Sequence, residues 1–201
     1  LYGAVSALAQ KDLKYMVGYS SVSHMGYVLM GLASMNQIGV NGAVLQMFAH
    51  GVMTALMFTN VGAVYDQAHL RDMTQFGGLA RKMPRHTAFF TIAGLSSIGL
   101  PGLAGFIAEF HIFVGVFQAH YYWAGGLGIL AAGLSATYIL RMLGRAYFGP
   151  FNERWEEIKE MRIGEQASAA LLIAAIVAMG IWPAMFVDRI TDSVNSIPGI
   201  N

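Results

Sequence analysis

Ala93-Gly94-Leu95-Ser96-Ser97-Ile98-Gly99-Leu100-Pro101-Gly102-Leu103-Ala104-Gly105-Phe106-Ile107-Ala108-Glu109-Phe110 is an apolar helix interrupted by Gly-Leu-Pro-Gly. One carboxylate, Glu109, follows the interruption by about two helical turns. Pro101 has no N–H and its ring clashes with the preceding turn, so a helix cannot pass through it unbent. Gly99 and Gly102 tolerate the unusual backbone angles that a break requires. At membrane depth a broken helix survives only where it is buried in protein or lines a water-filled cavity. A charge there costs from ~3 to more than ~10 kcal/mol. Break and charge together point to an ion path. The plainer reading is a proline kink beside a glutamate that snorkels to the interface.

The composition supports a membrane setting. The chain has 201 residues, 56% hydrophobic and 11% charged, against roughly 25% charged in a soluble domain. The expected fold class is an all-α polytopic transmembrane bundle, with about five to six spans and one discontinuous helix. No cysteine is present, which excludes disulfides and thiolate metal or iron–sulfur sites within these residues. The sequence opens in an apolar run, Leu1 to Ala9, and residues 1–201 are read as one part of a longer membrane domain.

After that first partial helix the apolar runs predict spans at about 15–34, 42–65, 86–118 (broken near 99–102), 125–147 and 166–187. The 86–118 run would measure about 50 Å as one straight helix, a further reason to expect a break. Alternating spans place the joints at 10–14, 66–85 and 148–165 on one side. Eleven of the twelve basic residues then fall on that side or on the span end that reaches it, and only Arg189 lies opposite. By the positive-inside rule the basic side is cytoplasmic. Within the last joint, Trp155, Ile158 and Met161 recur at helical spacing in a charged stretch, which suits a short surface helix or a solvated loop.

The spans carry polar stripes. Ser20, His24 and Tyr27 recur at i, i+4, i+7, and Gln46, His50 and Thr54 at i, i+4, i+8. Ser135, Tyr138, Arg141 and Arg145 share a face of the 125–147 span. Glu109 is the one acidic residue inside any predicted span. His24, His50 and Glu109 are therefore the candidate proton relay, since histidines and a buried carboxylate exchange protons without extreme differences in affinity. Ser20, Tyr27, Gln46 and Thr54 are candidates to hold bridging waters. Each histidine alone is as readily a packing residue bonded to a carbonyl. Two histidines and a carboxylate also have the composition of a metal site, but they come from separate helices without local ligand spacing, and no metal is expected. His111 lies nearly opposite Glu109 on its helix, His120 falls in an interfacial aromatic cluster, and His69 and His86 sit in or beside the basic joint; these four read as structural.

These residues carry a resemblance. Ala9-Gln10-Lys11-Asp12-Leu13-Lys14 with Gly18-Tyr19-Ser20-Ser21-Val22-Ser23-His24-Met25-Gly26-Tyr27 resembles a motif of the antiporter-like subunits of NADH–quinone oxidoreductase, respiratory complex I, which are related to Mrp-type cation/proton antiporters. Gln46-Met47-Phe48-Ala49-His50-Gly51, the Gly99–Phe110 stretch and Arg145-Ala146-Tyr147-Phe148-Gly149 resemble successive helices of the same family. Glutamate at position 109, where sibling types carry lysine, resembles the M type. Tyr15 stands where the family pattern has arginine and Gly18 where it has alanine.

The resemblance implies the C-terminal part of a proton-translocating subunit, with Lys14 as a further functional polar residue. It implies no redox cofactor in this chain, with flavin mononucleotide, iron–sulfur clusters and quinone in other subunits of a proton-translocating NADH:quinone oxidoreductase. The partners implied are other membrane-arm subunits, neighbouring antiporter-like ones included, and the lipid bilayer, in a bacterial inner membrane; no nucleic acid is expected. Two alternatives stand beside it: a subunit of a cation/proton antiporter or membrane-bound hydrogenase, and a structural membrane subunit with an inactive channel.

Overall fold

The computed structural model describes residues 1–200 as a bundle of helices without a sheet. In chain order these are α1 Tyr2–Ala9, α2 Leu13–Ala33, α3 Gln37–Ala68, α4 Pro84–Ser97, α5 Ala104–Gln118, α6 Tyr122–Ala146, α7 Ile163–Ile181 and α8 Ala184–Val194. Three of them, α3, α6 and α7, are by themselves long and apolar enough to cross a membrane. Helix α2 has the length, with 21 residues, but carries the serine, histidine and tyrosine stripe.

Side-chain caps set the starts. Asp12 Oδ1 accepts from the N–H groups of Lys14 and Tyr15 (2.8 and 3.1 Å), so α2 begins at Leu13. Asn36 Oδ1 accepts from Gly39 N–H (2.9 Å), so α3 begins at Gln37, five residues before the apolar run that announces it. Helix α3 packs most closely on α5. A Cβ at Gly115 of α5 would lie 2.4 Å from the backbone of Gly39, so only glycine permits this approach. Asn36 Nδ2 ties the same contact by donating to Gly115 O (2.7 Å).

One expectation is corrected. The 166–187 run is not one helix: α7 stops at Ile181 and α8 restarts at Ala184. Pro183 drives Trp182 out of the helical region (φ −119°, ψ 59°). Of the two readings open for residues 151–165, the surface helix does not form: residues 151–162 are an irregular segment with one 3₁₀ turn, Glu153–Trp155, because their hydrogen bonds run outward, and Ile163 opens α7. Trp155 Nε1 donates to Gln75 O (3.0 Å), and Lys159 N–H donates to Gln67 Oε1 (2.8 Å). Trp155, Ile158 and Met161 are buried all the same.

The joints at 10–14, 66–85 and 148–165 meet on one face. Leu13 N–H donates to Arg71 O, Met73 N–H to Lys11 O and Asn152 N–H to Gly77 O. At the other face Asn41 Nδ2 donates to Thr191 Oγ1 (2.7 Å), joining α8 to the start of α3. Helix α4 has no side-chain cap of its own. Glu160, from the irregular segment, supplies one: its carboxylate accepts from the N–H groups of Arg85 (2.8 Å) and His86 (3.1 Å). Arg141 of α6 donates to the carbonyls of Leu8 and Gln10, closing the C-terminal end of α1.

Candidate functional site

The helix break lies between α4 and α5, at residues 98–103. Leu100 N–H donates to Leu95 O (3.0 Å) and Gly99 N–H to Ser96 O (3.1 Å), with Gly99 at φ +78°. This paired-bond cap needs a residue in the left-handed region, which glycine supplies without strain. Pro101 follows and cannot continue the helix. Gly102, also at positive φ (+92°), turns the chain into α5. The first turn of α5 has no side-chain cap at its own N-cap; Ser96 Oγ reaches across from α4 to accept from Gly105 N–H (3.4 Å).

The break places Glu109 on the second turn of α5, where its side chain folds back toward the gap. A Cβ at Gly99 would stand 2.9 Å from Glu109 Oε2. On the other side of the carboxylate is His24 of α2, with Nε2 3.7 Å from Glu109 Oε1. His24 is fully buried and its two nitrogens face carbonyls on two helices: Nδ1 is 2.8 Å from Ser20 O, and Nε2 is 3.2 Å from Ser97 O at the open end of α4. Ser97 Oγ lies 3.5 Å from the same Nε2. A carbonyl only accepts, so a neutral ring can donate to one of the two carbonyls and an imidazolium to both. With Nδ1–H held by Ser20, the neutral ring can accept from the Ser97 hydroxyl. The charged ring can turn its second N–H to Ser97 O, beside Glu109. The site thus offers hydrogen-bond partners to both protonation states.

His50 of α3 stands next in line, its ring centroid 5.1 Å from that of His24. Its Nδ1 is buried without a partner, and so is Gln46 Oε1 one turn earlier on α3. Tyr27 sets its ring edge-on to His24, with centroids 5.8 Å apart, and its hydroxyl donates to Gly128 O of α6 (3.4 Å). The hydroxyls of Ser20 and Thr54 donate to carbonyls of their own helices, Val17 O (2.7 Å) and His50 O (2.6 Å).

The structure therefore brings His24, His50 and Glu109 together from three helices, with Tyr27 against His24. Lys14 is apart from them, exposed at the start of α2, about 15 Å along the helix from His24. Among the described residues no group of three or more His, Cys, Asp or Glu side chains is arranged to hold a metal ion. His111 turns to its own helix, with Nδ1–H donating to Ile107 O (2.7 Å). His86, beside the basic joint in sequence, is buried within the bundle, with Nε2–H donating to Asn60 O (2.9 Å). Ser96 and Ser97 carry no sequence signal beyond position: they are the last polar residues before the break.

The chain is similar to known proteins across nearly its whole length. A family model described as NADH:quinone oxidoreductase/Mrp antiporter, TM, matches residues 1–135. The chain is 38% identical over 195 residues to NADH-quinone oxidoreductase subunit M of Rhodobacter capsulatus, covering 96% of this chain and 38% of that one. It is 38% identical over 197 residues to F(420)H(2) dehydrogenase subunit M of Methanosarcina mazei, covering 98% of this chain and 40% of that one. It spans about two-fifths of the length of these relatives. Among solved structures it resembles a chain of respiratory complex I from Thermus thermophilus, with a TM-score of 0.89 at 30% identity, over 96% of this chain and 41% of that one. A chain of the Mrp complex from Dietzia sp. shares the fold, with a TM-score of 0.90 at 17% identity, over 96% of this chain and 44% of that one.

Proposed function

Because the chain belongs to the NADH:quinone oxidoreductase/Mrp antiporter membrane family, we propose that it carries the C-terminal proton half-channel of an M-type antiporter-like subunit in a complex I-type respiratory enzyme. The observation that carries this reading is the position of His24, between the His50 ring and the Glu109 carboxylate and in contact with the open end of a broken helix. His50 and His24 relay protons, and Glu109 is the charged site they load. When doubly protonated His24 gives up its proton, the Nε2–H bond breaks and an Oε1–H bond forms, so that an ion pair becomes a neutral pair. The 3.7 Å between these atoms is covered by a small side-chain movement or one water. Glu109 then releases the proton toward the face opposite the basic one, and His50 reloads His24.

The drive is electrostatic. A charge arriving beside Glu109 changes its proton affinity and with it the direction of transfer. Such a charge would come from the neighbouring membrane-arm subunits, and the flavin, iron–sulfur and quinone chemistry would sit in other subunits. Positive-inside logic puts the basic face in the bacterial cytoplasm. The family description, which names the Mrp antiporter as well, favours a second reading, a cation/proton antiporter subunit. A dinucleotide-oxidising arm that co-purifies with the chain separates the two.

The test is Glu109→Gln, which keeps the shape and removes the exchangeable charge. Assembly on a native gel is expected to be normal, with quinone-reductase rate and proton pumping in membrane vesicles falling at least tenfold. Full rate and pumping in an assembled variant overturn the reading.

A further inference from the structure

The relay leaves Lys14 unused. Its ammonium pairs with no carboxylate among the described residues, and it lines a groove of about 530 Å³ with Phe58, Val61, Gly62, Tyr65 and Arg71. The groove runs along the last turns of α3, at the level where α2 begins, which is the interface on the basic face. Its rim is cationic and its floor apolar. Arg71 is held in place from two sides: Asp12 Oδ2 meets its Nε at 3.1 Å, and its guanidinium lies over the Tyr65 ring, 5.4 Å from the centroid. With Lys14 free, the rim of Lys14, Arg71 and Asp12 keeps a net positive charge. Phe58 and Tyr65 are substantially exposed, and a Cβ at Gly62 would meet nothing within 4 Å, so the described residues leave the slot open.

We propose that this groove binds one anionic phospholipid from the leaflet on the basic face, its phosphate between Lys14 and Arg71 and an acyl chain along Phe58, Val61 and Gly62. One feature favours this occupant over a polypeptide helix: the charges cluster at one end of the groove, where a headgroup would lie, and juxtamembrane lysine and arginine attract anionic lipid at that depth. Tyr65 and the exposed Tyr15 sit at the same level, as interfacial aromatics do. The proposal does not depend on proton transfer at Glu109.

The experiment uses the intact complex in phosphatidylcholine vesicles doped with a photoactivatable phosphatidylglycerol. Crosslinked peptides are mapped by mass spectrometry. Labelling is expected at residues 58–65, reduced at least fivefold by unlabelled phosphatidylglycerol and not by added phosphatidylcholine. Lys14→Glu and Gly62→Leu are each expected to reduce it at least threefold, by reversing the rim charge and by filling the slot. Leucine is also the better helix former, so Gly62→Leu decides the matter if Lys14→Glu does not assemble. Glu109→Gln is expected to leave labelling unchanged, which keeps this test separate from that of the relay. Absent labelling, equal competition by phosphatidylcholine, or a neighbouring subunit crosslinked into the groove overturns the proposal.

Discussion

His24 Nε2 and Glu109 Oε1 stand 3.7 Å apart, beyond a hydrogen bond and within an ion pair. The distance makes carboxylate reach the controlling variable. Glu109→Asp withdraws the carboxyl by one methylene and widens the gap by about 1.5 Å, which a water can still bridge. Proton-coupled turnover is expected to fall several-fold, to a level clearly above that of Glu109→Gln. Equal rates for the two variants would show that reach does not matter. Pumping in inverted vesicles with a pH-sensitive dye measures both.

His50 and His111, two histidines within the membrane helices, are not equivalent. His50 faces His24, whereas His111, two residues from Glu109, bonds its own helix at Ile107. His50→Ala is expected to lower pumping at least fivefold, and His111→Ala to stay within twofold of the parent. Small and equal effects would make His50 a packing residue.

Gly99 and Gly102 test the break itself. Both have positive φ, so alanine at either strains the backbone by about 1–2 kcal/mol. Only at Gly99 would the new methyl also meet the Glu109 carboxylate, while at Gly102 it meets nothing within 4 Å. Thermal shifts are expected to show similar destabilisation for the two variants, with Gly99→Ala losing at least ten times more turnover than Gly102→Ala.

The irregular segment that caps α4 offers a stability test. Glu160→Ala removes the acceptor for three N–H groups, those of Arg85, His86 and Met161, and is expected to destabilise the protein by about 1–2 kcal/mol. Glu160→Gln keeps an acceptor oxygen and is expected to restore part of that. Acid weakens the same face in a second way. The hydrogen bond from Lys82 Nζ (2.5 Å) holds the exposed Glu156 carboxyl below its ordinary 4.5. A depressed carboxyl contributes stability that is present above its unfolded value and lost as pH falls through the folded one. Lys82→Met should flatten that acid limb in pH-dependent melting curves.

Much of this arrangement was legible in the residues. The i, i+4, i+7 spacing of Ser20, His24 and Tyr27 put three polar groups on one face of α2, and that face meets α3 and α5. Gly-Leu-Pro-Gly marked the break within a residue or two, because missing N–H groups and positive φ are local properties. What was not legible depends on distant partners. Residues 151–162 have helical spacing but spend their hydrogen bonds on Gln67, Gln75, Arg85 and His86. Arg141 looked like one more cytoplasmic charge and instead closes α1, more than a hundred residues away. Ser97 is an ordinary serine until the fold brings its carbonyl to His24.

The contact between Gly39 and Gly115 works as a ruler for the carboxylate. Backbone against backbone leaves α5 little freedom to roll about its own axis, because any rotation would drive a larger side chain into α3. Glu109 lies six positions before Gly115, and each residue of helix turns it by about 100°. Deleting or inserting one residue between them would swing the carboxylate away from His24 while the glycine seam stayed closed. The chemistry at one end of α5 therefore constrains the residue count to the other, since even a whole-turn change, which restores the angle, moves the carboxylate about 5.4 Å along the axis.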